Sequence, residues 1–282
     1  MMKRESGNGF VIPALALLSV VTLYPIAYVF YLSLQRKLLI FNISRFIGLE
    51  NYVFLLRDER FWNALRNTVY FTAVSVTLEL VLGLCIAMLL NRHFRGKGMV
   101  RALVLLPWAI PTVVSAKMWE WMYNTDFGVL NYLLGIKINW LGSPFWALNA
   151  AIFMDVWKTT PFVAILLIAG LQVIPEDLYR AARVDGAGSW HVFRKITLPL
   201  LKPAVLVVLL FRTLDAFRVF DAVYVLTGGG PANTTETLSI YAYKILFQTL
   251  QFGYGSTLSV IVFLCTGMIS IFYIKSLGRG MR

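Results

Sequence analysis

The sequence predicts an all-α polytopic membrane protein with six transmembrane helices, on three observations. Of its 282 residues, 59% are apolar and only 14% are charged, against roughly 25% charged in ordinary soluble chains. Mean hydropathy is +0.71, far from the polar, highly charged composition that keeps a chain disordered. The apolar residues also gather in runs long enough to cross a bilayer, which takes about 20 helical residues each. A single water-soluble globule is excluded.

Residues 11–34 carry no charge and lie between Lys3 and Arg4 on one side and Arg36 and Lys37 on the other. No small-residue cleavage site follows a short apolar region there, so the run is expected to stay in place as the first span. The second span covers 67–90 and is interrupted only by Glu79. The third, 102–123, contains Pro107 and Pro111 and is expected to bend. The fourth covers 146–171, the fifth 203–226 and the sixth 256–274, within one transmembrane domain over 1–282. Residues 35–66, with Phe41, Phe46, Tyr52, Phe54 and Trp62, are too apolar for a solvated linker and are expected to lie on the membrane interface.

Six spans put both ends of the chain on one side. Lys and Arg concentrate in cytoplasmic loops, and the side holding the two ends and the loops 91–101 and 172–197 carries 13 of them, against 8 opposite. The loop 35–66 dissents with six, but Glu50, Asp58 and Glu59 partly offset them. Both termini are therefore expected to be cytoplasmic. The same bias accounts for the net charge of +12 without nucleic acid as a partner; the expected surroundings are membrane lipid.

Enzyme chemistry finds no footing. There is no phosphate-binding glycine loop with its lysine, no HExxH and no GxSxG, and the two histidines, His93 and His191, sit in basic loops. Cys85 and Cys265 lie inside apolar runs and read as small core residues, so neither a disulfide nor a metal site is expected. No catalytic residue is assigned, and the chain is expected not to be an enzyme.

In the fifth span Arg212, Asp215, Arg218 and Asp221 follow at intervals of three with alternating sign. On one helix such residues step around by about 60° and rise about 4.5 Å each time, so neighbours can touch. Charge at membrane depth costs at least about 2.5 kcal/mol when alone and normally faces protein or a water-filled cavity. Two readings stand: a structural ion-pair ladder, or a stripe that lines a path for a polar solute. The fourth span adds Asp155, Trp157, Lys158, Thr159 and Thr160 before Pro161, where a proline removes a backbone donor. A sugar suits such a surface, since hydroxyls want bidentate polar groups and ring faces want aromatics, which Trp157 and Tyr224 offer; a polar helix–helix contact is the other reading. Trp157, Lys158, Asp215, Arg218, Asp221 and Tyr224 form the candidate pathway. Glu79 reads as a buried, paired or protonated carboxylate.

The segment between spans four and five, PEDLYRAARVDGAGSWHVFRKITLPLLKP, reads as two short helices. Pro175 suits a first helical position, Glu176 and Asp177 favour the N-terminal dipole, Gly186 and Gly188 end the first helix, and Ser189 is placed to cap the second. Ala181 and Ala182 leave little bulk beside the glycine turn, so a partner's backbone can approach.

These residues resemble the membrane-spanning permeases of binding-protein-dependent ATP-binding-cassette importers. The cytoplasmic signature of that family runs Glu-Ala-Ala, three residues, Gly, nine residues, Ile, any residue, Leu-Pro. Ala181, Ala182, Gly186, Ile196, Leu198 and Pro199 fall at those spacings, and Asp185 matches the common Asp-Gly-Ala form. Arg180 stands at the glutamate position, a reversal of charge. The runs LLPWAIPTVV (105–114), VWKTTPF (156–162) and FRTLDAFRVFDAVYVLTGGGP (211–231) are similar to the sugar branch, close to trehalose and maltose permeases.

The resemblance implies a cytoplasmic coupling helix within 175–199 that fits an ATPase subunit. It implies a second homologous permease, two ATP-binding-cassette ATPase subunits holding ATP and magnesium, and an extracytoplasmic solute-binding protein, with no cofactor on this chain. The solute site would lie around Arg218 to Tyr224, and Gly228, Gly229, Gly230 and Pro231 would form an outer loop meeting the binding protein, or else only a tight turn. The location implied is the cytoplasmic, or inner, membrane. The alternatives carried are the same architecture for glycerol 3-phosphate, and an ion-coupled carrier.

Overall fold

The computed structural model describes residues 8–92 and 94–280; Lys3, Arg4, His93 and Arg282, which entered the readings above, lie outside the described residues. In chain order the elements are α1 (Asn8–Ser33), β1 (Gln35–Leu38), β2 (Ile43–Phe46), α2 (Glu50–Arg57), α3 (Glu59–Asn91), α4 (Lys97–Ala109) and α5 (Thr112–Met122). They continue with α6 (Val129–Leu134), α7 (Pro144–Gln172), α8 (Glu176–Val184), α9 (Ser189–Val192), a π turn (Phe193–Thr197), α10 (Leu198–Phe217) and α11 (Asp221–Thr227). Last come α12 (Leu238–Tyr243), a second π turn (Lys244–Gln248) and α13 (Phe252–Gly280). Among the described residues five helices are long and apolar enough to cross a membrane, and six if α4 and α5 count as one bent span.

Two details correct the sequence reading. The third span is not one curved helix: α4 and α5 meet at 93°, because Pro111 stands as N-cap of α5 with extended ψ and has no N–H to carry the ladder across. The second short helix of the elbow is not separate. From Ser189 the chain runs on to Phe217 as one apolar helical stretch, with a π turn just before Pro199, whose ring would crowd the carbonyl four residues earlier in a regular α-helix. In the apolar segment after the first span β1 and β2 pair antiparallel, Gln35 opposite Phe46.

The chain divides into two compact units, Met1–Phe61 with Tyr241–Leu264 and Trp62–Ile240 with Cys265–Arg282. In the first, α1 is exposed along almost all of its apolar length, with Leu17 and Val20 each 66% accessible, as a helix solvated by lipid would be. The ribbon is tied by Asn51, which donates to the carbonyls of Ser33 (2.8 Å) and Gln35 (2.9 Å). Asp58, between α2 and α3, accepts from the hydroxyls of Tyr241 and Tyr254, and the Arg60 guanidinium lies 4.5 Å from the Tyr241 ring centroid. Burial, and then the bond to Asp58, push the Tyr241 hydroxyl up from its ordinary pKa. Asp58→Ala is expected to cost about 1–3 kcal/mol, since it strands two hydroxyls, readable as a lower melting midpoint; Asp58→Asn, which still accepts, should lose less.

In the second unit one apolar cluster gathers Phe71, Trp119, Met154, Val223 and Ile240, and another Ala87, Val163, Leu167, Leu201 and Val208. The two clusters hold α3, α7 and α10 together. At Gly83 a Cβ would lie 2.5 Å from a methyl of Val163, so a glycine lets α3 and α7 approach this closely.

Candidate functional site

Apolar packing of α3, α7 and α10 brings ionisable groups from all three to one place. Arg212 on α10 is 3% accessible and Glu79 on α3 is fully buried. The guanidinium binds Glu79 with two nitrogens, Nε to Oε2 and Nη2 to Oε1 (2.9 Å). Nη2 also donates to Asp155 Oδ2 of α7 at 3.2 Å, and Nη1 to Asp215 Oδ2 one turn along α10. The Thr159 hydroxyl completes the set, 2.8 Å from Glu79 Oε1 and 2.6 Å from the Asp155 carbonyl. Glu79 is thus a buried, paired carboxylate, as its isolation in an apolar span indicated. The network uses the planar fork of arginine, which can satisfy several carboxylate oxygens at once.

The charged stripe does not continue. Arg212 and Asp215 pair, but α10 ends at Phe217 with Arg218 as its C-cap, and Arg218 turns back to donate to its own Leu214 carbonyl at 3.0 Å. Asp221 opens a new helix, α11. The expected span 203–226 is therefore broken at 218–220. A cation at the end of one helix and an anion at the start of the next suit the two dipoles, so the alternating signs that resembled a ladder mark a junction.

Beside the network lies a cavity of about 560 Å³. Four of the six candidate pathway residues line it: Lys158, Asp215, Arg218 and Asp221. Trp108, Phe162 and Phe220 supply aromatic wall, with Trp108 stacked on Phe162 at 5.7 Å. Trp157 and Tyr224 do not line it. Trp157 packs on the first apolar cluster, edge-on to Trp119 at 5.6 Å, because one helical step from Lys158 turns it about 100° away. Tyr224 lies behind Phe220, stacked at 5.0 Å. Lys158 is only 8% accessible, and among the described residues its amine has no hydrogen-bond or ion-pair partner. Among the lining residues three aspartates, 155, 215 and 221, face three cations, 158, 212 and 218, so the wall is formally neutral.

Sequence reasoning missed Glu79, Asp155, Thr159 and Arg212 as one group. The available signal was that each apolar span from α3 onward that carries a lone buried charge needs a partner, and that Arg212 is a cation four spans' worth of carboxylates could share; nothing in spacing says which.

The elbow forms as a helix with a glycine stop. Pro175 is the N-cap of α8 rather than its first residue. Gly186 adopts φ +72°, the Ala187 N–H reaches the Ala182 carbonyl (2.9 Å) and the Gly186 N–H that of Arg183 (3.2 Å), the paired bonds of a Schellman ending. Gly188, not Ser189, stands at the N-cap of α9, with no side-chain cap. Ala181 is exposed and Ala182 buried. Arg180 holds Glu176 at 3.1 Å and Asp177 at 3.8 Å on its own helix. Ile196 lies in the π turn, and Leu198 and Pro199 begin α10.

After α11, Gly228 and Gly229 are left-handed, and so are Ala232 and Asn233. The Thr235 hydroxyl donates to the Gly230 carbonyl at 2.7 Å, while Asn67 of α3 donates to the carbonyls of Thr234 (2.8 Å) and Glu236 (2.9 Å). Gly229 is buried; Gly228, Gly230 and Pro231 are half-buried, and the exposed tip is Ala232 and Asn233.

The family model described as the binding-protein-dependent transport system inner membrane component matches residues 79–282. The chain belongs to that family. Every residue of the ion network, the cavity lining and the elbow falls within the match. The trehalose/maltose transport system permease protein MalF of Thermococcus litoralis is 45% identical over 285 residues, spanning 99% of this chain and 96% of its own. The trehalose transport system permease protein SugA of Mycobacterium tuberculosis is 47% identical over 279 residues, spanning 99% and 90%. A bacterial ABC transporter involved in import of the acidic polysaccharide alginate matches in structure with a TM-score of 0.85 at 22% identity, over 96% of this chain and 94% of that one, which shows a common fold. The family member described here is a multi-pass membrane permease subunit of an ABC importer and not an enzyme.

Proposed function

We propose that this permease forms half of the translocation pathway for a sugar of the trehalose or maltose kind, delivered by an extracytoplasmic solute-binding protein. A second permease supplies the other half. Two ATPase subunits, which hold ATP and magnesium, move it through α8 and the turn at Gly186. The observation that carries the sugar reading is the cavity wall: charges balanced to neutrality, aromatic faces, and a lysine side chain whose amine, among the described residues, makes no hydrogen bond or ion pair. Neutral polyols need donors and acceptors together with apolar faces. An anion such as glycerol 3-phosphate needs surplus positive charge, and Arg212 is already taken by carboxylates. The 45–47% identity to proteins named for trehalose transport supports the same class. Both ends of the chain are proposed to face the cytoplasm across the inner membrane.

Uptake of radiolabelled trehalose, maltose and glycerol 3-phosphate by cells or proteoliposomes holding the full transporter tests this. Nucleotide-dependent uptake of a disaccharide supports it; uptake driven by an ion gradient without nucleotide, or uptake of glycerol 3-phosphate alone, refutes it. Lys158→Met and Asp221→Asn are each expected to raise the concentration for half-maximal uptake by roughly tenfold or more, the loss of one charged hydrogen bond. Wild-type uptake by both variants removes these residues from the pathway.

A further inference from the structure

Where α8 leaves α7, two cavities that the solute pathway does not use lie on either side of Gln172. The first, of about 300 Å³, is an apolar groove between α4 and α7 walled by Val104, Leu105, Ala164, Ile165 and Ile168. Arg101 is the single ionisable residue in that wall; its Nε is buried and, among the described residues, no atom accepts from it. The second, of about 400 Å³, shares Gln172 with the first and is polar, lined by Asn91, Lys97, Tyr179, Arg183 and Glu176. Glu176 is held by Arg180 at 3.1 Å, and the lining itself carries two cations, Lys97 and Arg183, against that one carboxylate. Arg92 and Arg95 stand exposed on the loop that leads into α4.

Taken together, the two cavities are amphipathic along one direction. From Arg101 to Leu105 and from Gln172 to Ile165 the apolar wall runs about 6 and 10 Å along the helices, at about 1.5 Å per residue, away from the cationic end. Ile165 of the groove wall is exposed, so the mouth of the groove meets hydrocarbon in a chain of this class. A buried guanidinium N–H without an acceptor is unfavourable; a phosphate oxygen would satisfy it with a charge-assisted bond. A soluble anion would meet the cations and leave the groove unfilled. We propose that the two cavities together hold one anionic phospholipid, its phosphate against Arg101, Lys97 and Arg183 and one acyl chain in the groove. Because Tyr179 and Arg183 belong to α8, the bound lipid would brace the elbow.

Native mass spectrometry of the transporter purified in mild detergent, incubated with phosphatidylglycerol, with phosphatidylcholine of the same chains, or with inorganic phosphate, tests this. Each basic side chain near an anionic headgroup is worth roughly fivefold in affinity, so phosphatidylglycerol should be retained about tenfold or more over phosphatidylcholine. The Arg101→Gln, Lys97→Gln double variant should bring the two within about twofold of each other on the same scale. Ala169→Trp, at an exposed position on the groove wall, should lower retention of both lipids while leaving the melting midpoint intact. Equal retention of the two lipids by the wild type overturns the proposal. So does displacement of phosphatidylglycerol by inorganic phosphate, which would mark a free-anion site, or unaltered retention in both variants.

Discussion

Valine in place of Gly186 is expected to cut nucleotide-driven uptake about thirtyfold or more, the effect of losing a central interface contact worth roughly 2 kcal/mol, while the transporter still assembles in the membrane. Gly186 holds φ +72°, and among the described residues beyond its two chain neighbours no atom lies within 4 Å of where its Cβ would be. An L side chain therefore meets nothing internal; its cost within the chain is the left-handed backbone alone, about 1–2 kcal/mol. Any larger loss must come from whatever docks on that open side of the turn, which we propose is an ATPase subunit. Comparing Gly186→Val with Gly186→Asn separates the two contributions, because asparagine tolerates the left-handed region yet still adds bulk. If both variants hydrolyse ATP without transporting, the turn is a coupling contact. If Gly186→Asn transports normally and Gly186→Val only loses stability, the turn is merely local structure.

Arg212→Met is expected to destabilise the permease by about 3–5 kcal/mol, the usual loss when one partner of a buried ion pair is removed and its counter-charges are stranded. Glu79, with no accessible surface, and Asp155 would both be left without their cation. The measurement is the melting midpoint in detergent together with the amount of protein recovered from membranes. Glu79→Gln keeps the shape and one acceptor and should cost less, and adding it to Arg212→Met should recover part of the loss, since fewer charges then remain unpaired. A wild-type midpoint for Arg212→Met would mean that the network does not join α3, α7 and α10.

Much of this molecule is legible without coordinates, and the reasons are local. A span announces itself by uncharged length, so the first, second, fourth and sixth crossings fall within a few residues of the helices observed, except that α3 begins well before its apolar stretch, at Glu59. The first half of the elbow was equally plain, since a proline, two acids, a small-residue run and a glycine spell out one helix and its stop, whereas the second short helix read from Ser189 runs on into α10. Breaks inside apolar stretches were harder. Pro111 could have kinked a helix or ended it, and the 93° turn depends on what α5 packs against, namely the α11 and α7 side of the first apolar cluster. The junction at 218–220 was misread because residues three apart look alike whether a helix continues or stops; the structure ends α10 with Arg218 as its C-cap, its guanidinium turned back to the Leu214 carbonyl.

From residue order alone came the membrane class, the run of spans and the glycine-stopped elbow, because each rests on hydrophobic length or turn chemistry within a few residues. Tertiary structure alone decided that Glu79 meets Arg212 across 133 positions, that Lys158 rather than Trp157 reaches the cavity, and that Arg101 stands at the head of an apolar groove. A buried charge takes whichever partner helix packing brings within reach, and that packing is set by the whole of α3, α7 and α10 at once.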